Sequence, residues 1–168
     1  MRYHNITTDD MLNGDGLRTV LWLSGCSHHC KNCQNPLTWD PNGGLEFDSD
    51  AEMELFEKLG KDYISGITFS GGDPLNENNI KDVLGLINTI KEVFPEKTIW
   101  LYSGYTVEEI FYNDEPNMKI RQEILKNVDV FVDGKYDETL KDVNYEWAGS
   151  RNQKVIKMQE YLHENVIV

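Results

Sequence analysis

Apolar residues along the chain fall into two rhythms, short continuous runs and longer segments repeating at three- and four-residue steps. Arg18–Gly25 (RTVLWLSG) is a run rich in Val, Leu and Trp that stops at glycine, as expected of a buried strand. Ser65–Phe69 (SGITF), Lys97–Tyr102 (KTIWLY) and Val128–Val132 have the same character. Between them, Asp50–Lys61 carries Met53, Leu55, Phe56 and Leu59 at helical spacing, with Asp48 or Ser49 placed to cap its N-terminus. Over Asn76–Phe94, Ile80, Val83, Leu84, Ile87, Ile90 and Val93 recur in the pattern of a long amphipathic helix, which Pro95 ends. Thr106 heads a short helix beginning VEEIF, and Lys119–Asn127 forms another. The tail, Lys154–Val168, alternates only weakly.

Strands separated by helices in this rhythm imply βα units, hence a mainly parallel sheet with right-handed crossovers. A closed eight-unit barrel takes about 250 residues. The 168 residues present can build only part of one. The expected fold is therefore α/β, a partial (incomplete) βα barrel in one domain over residues 1–168, without repeats or linkers. Parallel sheets bind ligands beyond the carboxyl ends of their strands. Four polar motifs occupy that position here: a cysteine loop, Ser70-Gly71-Gly72-Asp73-Pro74, Ser103-Gly104 and Asp133-Gly134-Lys135.

Charge narrows the partners. A formal net charge of −13 disfavours nucleic acid and anionic membrane surfaces, both of which attract Lys/Arg-rich faces. No stretch approaches the apolar length needed to span a bilayer, and MRYHNITTDDMLNGDG lacks the apolar centre of a secretory signal. A cytoplasmic location follows as the expectation.

All three cysteines, Cys26, Cys30 and Cys33, fall within eight residues at the spacing C-x3-C-x2-C. An odd number packed so closely cannot form a disulfide framework, and such clusters bind metal in reducing compartments. So short a loop can wrap three thiolates around one face of an iron–sulfur cube and leave one iron open, as a catalytic site requires. The competing reading is a Cys3His zinc site using His28 or His29, although both histidines lie between the first two cysteines. A ferredoxin-type cluster wants a fourth cysteine, and the chain has none.

The cysteine loop resembles that of the radical S-adenosylmethionine superfamily, whose hallmark is this spacing. Gly14-Asp15-Gly16-Leu17-Arg18 before it, and Gln34-Asn35-Pro36-Leu37-Thr38-Trp39-Asp40 after it, resemble the branch that activates glycyl radical enzymes. Asp15 stands where that branch often has Pro. Trp147-Ala148-Gly149-Ser150-Arg151-Asn152-Gln153 resembles the Gly-Ser-x-Asn-Gln signature of the activators of anaerobic ribonucleotide reductase, a family of similarly short chains.

The resemblance implies a [4Fe–4S] cluster on Cys26, Cys30 and Cys33 and a binding site for S-adenosyl-L-methionine. Ser70, Gly71, Gly72, Asp73 and Pro74 resemble the family's Gly-Gly-Glu motif, which holds the amino group of methionine; Asp73 is one methylene shorter. Ser103 and Gly104 resemble a cofactor-contacting position. Asp133 and Lys135 resemble an Asp-x-Lys motif near the sulfonium and carboxylate, with Lys135 suited to the carboxylate. The histidines inherit no role. The activity implied is reductive cleavage of S-adenosylmethionine to place a glycyl radical on the large subunit of anaerobic ribonucleotide reductase. A donor such as flavodoxin supplies the electron. Activation of another glycyl radical enzyme such as formate-lyase, a radical enzyme acting on a metabolite, and a non-catalytic metal-binding module are the alternatives.

Overall fold

The computed structural model describes residues 1–167. The strands are β1 (Arg2–Asp10), β2 (Arg18–Leu23), β3 (Leu45–Glu46), β4 (Gly66–Gly71), β5 (Thr98–Tyr102), β6 (Val130–Asp133) and β7 (Lys154–Lys157). The helices are α1 (Ser49–Leu59), α2 (Ile80–Val93), α3 (Val107–Phe111), α4 (Pro116–Lys126) and α5 (Met158–Glu164). Single 3-10 turns lie at Pro36–Trp39 and Glu138–Leu140.

The strands make one open sheet in the order β3-β1-β2-β4-β5-β6-β7. Its centre, β2-β4-β5-β6, is parallel and runs in chain order, as the sequence pattern led us to expect. The edges are antiparallel: β1 and β3 on one side, β7 on the other. The sheet is mixed α/β and does not close.

Helix ends follow local chemistry. Asp48, not Ser49, caps α1 by accepting the Ala51 N–H, and Thr106 with Glu109 forms a reciprocal capping box on α3. Two boundaries differ from the periodicity. The α2 helix begins at Ile80, because Asn76–Asn79 makes a turn in which the Asn76 side chain accepts the Asn78 N–H. The α4 helix begins three residues early, at Pro116, where a proline needs no hydrogen-bond partner. The weakly patterned tail is β7 followed by α5; its last residue, Val168, lies outside the described residues.

One face of the sheet packs on the helices. Leu21, Leu23, Ile67, Phe69, Ile99, Leu101 and Phe131 join Leu55 of α1, Ile87 of α2, Ile110 of α3, Leu125 of α4 and Met158 of α5 in one apolar cluster. The alternate residues point to the other face. There Arg18 is buried, donating to the Thr68 and Thr98 hydroxyls and to the carbonyls of Asp15, Ile67 and Thr98. Burial lowers its pKa to about 10, so the guanidinium stays charged at neutral pH. It plugs the amino-terminal end of the parallel strands and leaves the carboxyl end for chemistry.

Candidate functional site

The cysteine loop leaves the end of β2 stitched to the backbone that follows it. Gly25, at φ +99, donates to the Thr38 carbonyl at 2.7 Å, and Cys26 N–H donates to the Trp39 carbonyl at 3.0 Å. His29 and Asn32 take left-handed backbone angles, φ 50 and 58, which turn the chain back on itself between the thiols. The three cysteines are half-buried and unpaired. The Asn35 backbone N–H reaches Cys33 Sγ at 3.4 Å. Burial pushes the Cys26 thiol up to about 11, with nearby backbone N–H groups pulling the other way.

A metal bound there would replace the proton, and N–H···S bonds would then tune it. The donor set decides which metal fits. A Cys3His zinc site needs a histidine as its fourth ligand, whereas a cubane can be held by three thiolates. Neither histidine supplies a fourth zinc ligand. His28 turns to Asp73, and the His29 ring lies flat on Trp39, with centroids 4.4 Å apart. Three soft thiolates with backbone donors fit an iron–sulfur cluster.

Ser70-Gly71-Gly72-Asp73-Pro74 ends β4 and turns beside this loop. Its glycines answer a close approach of backbone to backbone. A Cβ on Gly72 would sit 2.6 Å from the Gly25 carbonyl oxygen and 2.7 Å from that of Thr38. The tight packing lets Gly72 N–H reach Leu23 and Asp73 N–H reach Gly25. Ser70 is half-buried, and Pro74 is buried.

Asp73 is 1% exposed. Its Oδ1 accepts the Leu75 N–H at 2.8 Å. Its Oδ2 receives the Ser103 hydroxyl at 3.0 Å, the Gly104 N–H at 3.3 Å and His28 Nε2 at 2.5 Å. Ser103 and Gly104 thus meet Asp73 directly, joining two motifs 30 residues apart. Asn79 completes the turn from below, donating to the carbonyls of Ser24 and Asp73.

The third motif divides. Asp133 is buried, with Oδ2 accepting the Val107 N–H at the start of α3 and Oδ1 accepting the Lys154 N–H at the start of β7. Burial raises its pKa, partly offset by those two bonds. Lys135 is exposed. With Lys31 of the cysteine loop it lines a cavity of about 290 Å³ that also touches Glu138 and Asn152. The Asn32 amide hydrogen-bonds the Glu138 carboxylate at the edge of that cavity.

Lys135 sits at the start of a long excursion between β6 and β7, and the Ser150–Gln153 segment closes its neck. Gln153 Oε1 accepts the N–H groups of Gly149 and Ser150, at 2.9 and 3.1 Å, while Nε2 donates to the Gly134 carbonyl at 3.0 Å. Asn152 donates to the Lys135 carbonyl at 2.7 Å, and buried Ser150 Oγ accepts the Asp137 N–H. Inside the excursion Trp147, at φ 69, meets Trp100 on the open face of the sheet, with ring centroids 5.5 Å apart. The Gly-Ser-Arg-Asn-Gln signature is a clasp.

Aromatic side chains near the rim pack. Tyr105 lies under the Arg121 guanidinium at 4.5 Å and meets the His28 ring edge to face at 4.7 Å. Motif reading passed over Asn79 and weighed His28 only as a zinc ligand, not as a partner of Asp73. Each is polar and buried against a partner remote in sequence, which no local pattern announces.

Comparison with known proteins agrees with the cysteine chemistry. A family described as "4Fe-4S single cluster domain" matches residues 12–156. A protein of Enterobacteria phage T4 named anaerobic ribonucleoside-triphosphate reductase-activating protein is 41% identical over 155 residues, covering 92% of this chain and 93% of its own. Proteins of the same name from Pasteurella multocida and Escherichia coli (strain K12) are 33% and 37% identical. They cover 96% and 92% of this chain, and 100% and 97% of their own lengths.

Proposed function

Because the chain belongs to the 4Fe-4S single cluster domain family and to the anaerobic ribonucleoside-triphosphate reductase-activating proteins, we propose that it works as a radical S-adenosylmethionine activase. It is an enzyme whose product is a glycyl radical on the reductase. When bound, the [4Fe–4S] cluster supplies the electron that cleaves S-adenosylmethionine reductively, which is chemistry no side chain provides. Residues 1–168 act as one domain, a partial βα barrel whose open side faces the partner. No helix among the described residues is long and apolar enough to cross a membrane. The reading places the protein in the cytoplasm, with a flavodoxin-like donor and without nucleic acid or membrane contacts.

The observation that carries this reading is the meeting of the three-thiol loop with the Asp73 turn at the carboxyl end of a parallel sheet. Cys26, Cys30 and Cys33 are the residues that would hold the cluster. The wall made by Ser70–Pro74, Ser103 and Gly104 orients the methionine end. Lys135 is the exposed cation for its carboxylate. Asp133 serves the site by holding the first turn of α3 against β7, which fixes where the Gly134–Lys135 turn emerges.

The test is transfer. Reconstituted protein, reductant and S-adenosylmethionine are incubated anaerobically with the large reductase subunit or with formate-lyase. A glycyl radical doublet in paramagnetic resonance is expected on the reductase alone. A doublet only on formate-lyase would reassign the partner, and none on either would remove the activase reading.

A further inference from the structure

Asp73 raises a difficulty for direct contact with the cofactor. It is 1% exposed, three donors already converge on its Oδ2, and the side chain in front of it, His28, is itself only 7% exposed. A carboxylate so enclosed acts on what holds it as much as on what approaches it.

His28 has the contacts of a fixed group. Nε2 lies 2.5 Å from Asp73 Oδ2, the ring packs edge to face on Tyr105, and Tyr105 is pinned under Arg121. Arg121 in turn donates to the Leu75 carbonyl, two residues from Asp73, which closes a ring of contacts. The space for the imidazole exists because residue 104 has no side chain. A Cβ there would fall 2.4 Å from the His28 ring. His28 also sits midway between Cys26 and Cys30, two residues from each. One residue thus belongs to the cysteine loop by its backbone and meets the Asp73 turn through its ring.

We propose that His28 is a positioning residue: with Asp73 it forms a buried latch that fixes the cysteine loop against the Ser103–Gly104 turn in the arrangement the cofactor binds. The proposal rests on the reading of this rim as the S-adenosylmethionine site and changes the role of Asp73 within it. Asp73 acts largely through His28. Mutating either residue therefore opens the same latch, and the two effects do not add.

The experiment is a double-mutant cycle on anaerobically reconstituted protein, with S-adenosylmethionine affinity measured by calorimetry and the resonance spectrum of the reduced cluster recorded beside it. For a buried charge-assisted hydrogen bond, His28→Ala and Asp73→Asn should each weaken binding roughly tenfold, with iron content near wild type. The double variant should be no weaker than the worse single. His28→Gln, which keeps a donor, should recover part of the loss. Gly104→Ala keeps the backbone N–H that Asp73 accepts while its Cβ crowds the ring, and it should reproduce the altered spectrum of His28→Ala.

Additive losses in the double variant would overturn the latch. So would unchanged affinity in His28→Ala beside a loss in Asp73→Asn, which makes Asp73 a direct ligand of the cofactor. Tighter binding in His28→Ala would also overturn it, since the ring would then be a plug that the cofactor expels. Absence of binding to the wild-type protein is a separate result, and it would defeat the proposed function itself.

Discussion

Two loops rise at the carboxyl end of the sheet, and they are held in opposite ways. The 134–153 excursion is knitted by its own side chains. Gln153 alone accepts two backbone N–H groups and donates to a third residue, while Asn152 and Ser150 secure Lys135 and Asp137. The cysteine loop has little of this. Inside it the backbone makes one bond, Cys33 N–H to Cys30 carbonyl, and two of its residues take left-handed angles. Its remaining ties run outward, to Asp73 through His28, to Glu138 through Asn32 and to the 3-10 turn behind it. A loop that folds on its own contacts needs no further group. A loop whose thiols are half-buried and unpaired is completed by what it binds.

The sharpest way to break this comparison is at the thiols. Replacing Cys26, Cys30 or Cys33 by Ala should abolish cluster retention and cofactor cleavage while leaving the 134–153 excursion protected. Iron analysis and hydrogen exchange check both halves. Full cleavage in all three variants would remove the cluster from the mechanism.

A smaller effect is expected at the clasp. Gln153→Ala leaves the Gly149 and Ser150 N–H groups and the Gly134 carbonyl without their partner, so stability should fall by about 1–3 kcal/mol. Limited proteolysis should then cut within residues 137–149, and cofactor affinity should fall through the loosened Lys135 turn. Cluster content should hold. A variant with wild-type urea stability and an uncut loop would deny that the signature is a clasp.

The smallest effect lies on the outside of the fold, where Lys154 of β7 pairs with Glu108 of α3 at 2.8 Å. Hydrogen bonding to Lys154 depresses the Glu108 pKa, and the same bond raises that of Lys154. A depressed carboxylate stabilises the fold above its ordinary pKa of 4.5 and loses that contribution as pH falls through its folded value. The raised ammonium contributes below its ordinary 10.5 and loses that as pH rises through its folded value. The pair is exposed, so solvent screening holds the gain to about 0–1 kcal/mol. Glu108→Gln should therefore cost a fraction of a kcal/mol at neutral pH and nothing in acid, as read by urea melts. An equal cost at both ends would assign the effect to packing.

The two loops also differ in what their sequences disclose. Thiol spacing, Ser-Gly-Gly-Asp and the four short apolar runs are local features, and each reads directly from the chain. The Thr106 capping box is as local, and it forms as written. What stays hidden is whatever depends on a distant partner. The strand β1, RYHNITTDD, buries only Tyr3 and Ile6 and owes its existence to antiparallel pairing with β2. The β7 strand is patterned as weakly, and β6 organises it. His28 stands 45 residues from Asp73, so a sequence motif shows the cysteines around it and says nothing of its ring. The Gln153 signature is legible as a family mark, but its work as a clasp becomes visible only once Gly134 lies beside it. Asp133 reads as a site residue, yet both of its oxygens hold backbone.

The most direct test of the central claim is anaerobic reconstitution with iron and sulfide, dithionite reduction, and electron paramagnetic resonance with and without S-adenosylmethionine. The account predicts a reduced-cluster signal that changes when the cofactor is added, with 5′-deoxyadenosine appearing in the same sample. Tightly held stoichiometric zinc with no cluster signal, or a cluster signal that ignores the cofactor, would contradict it.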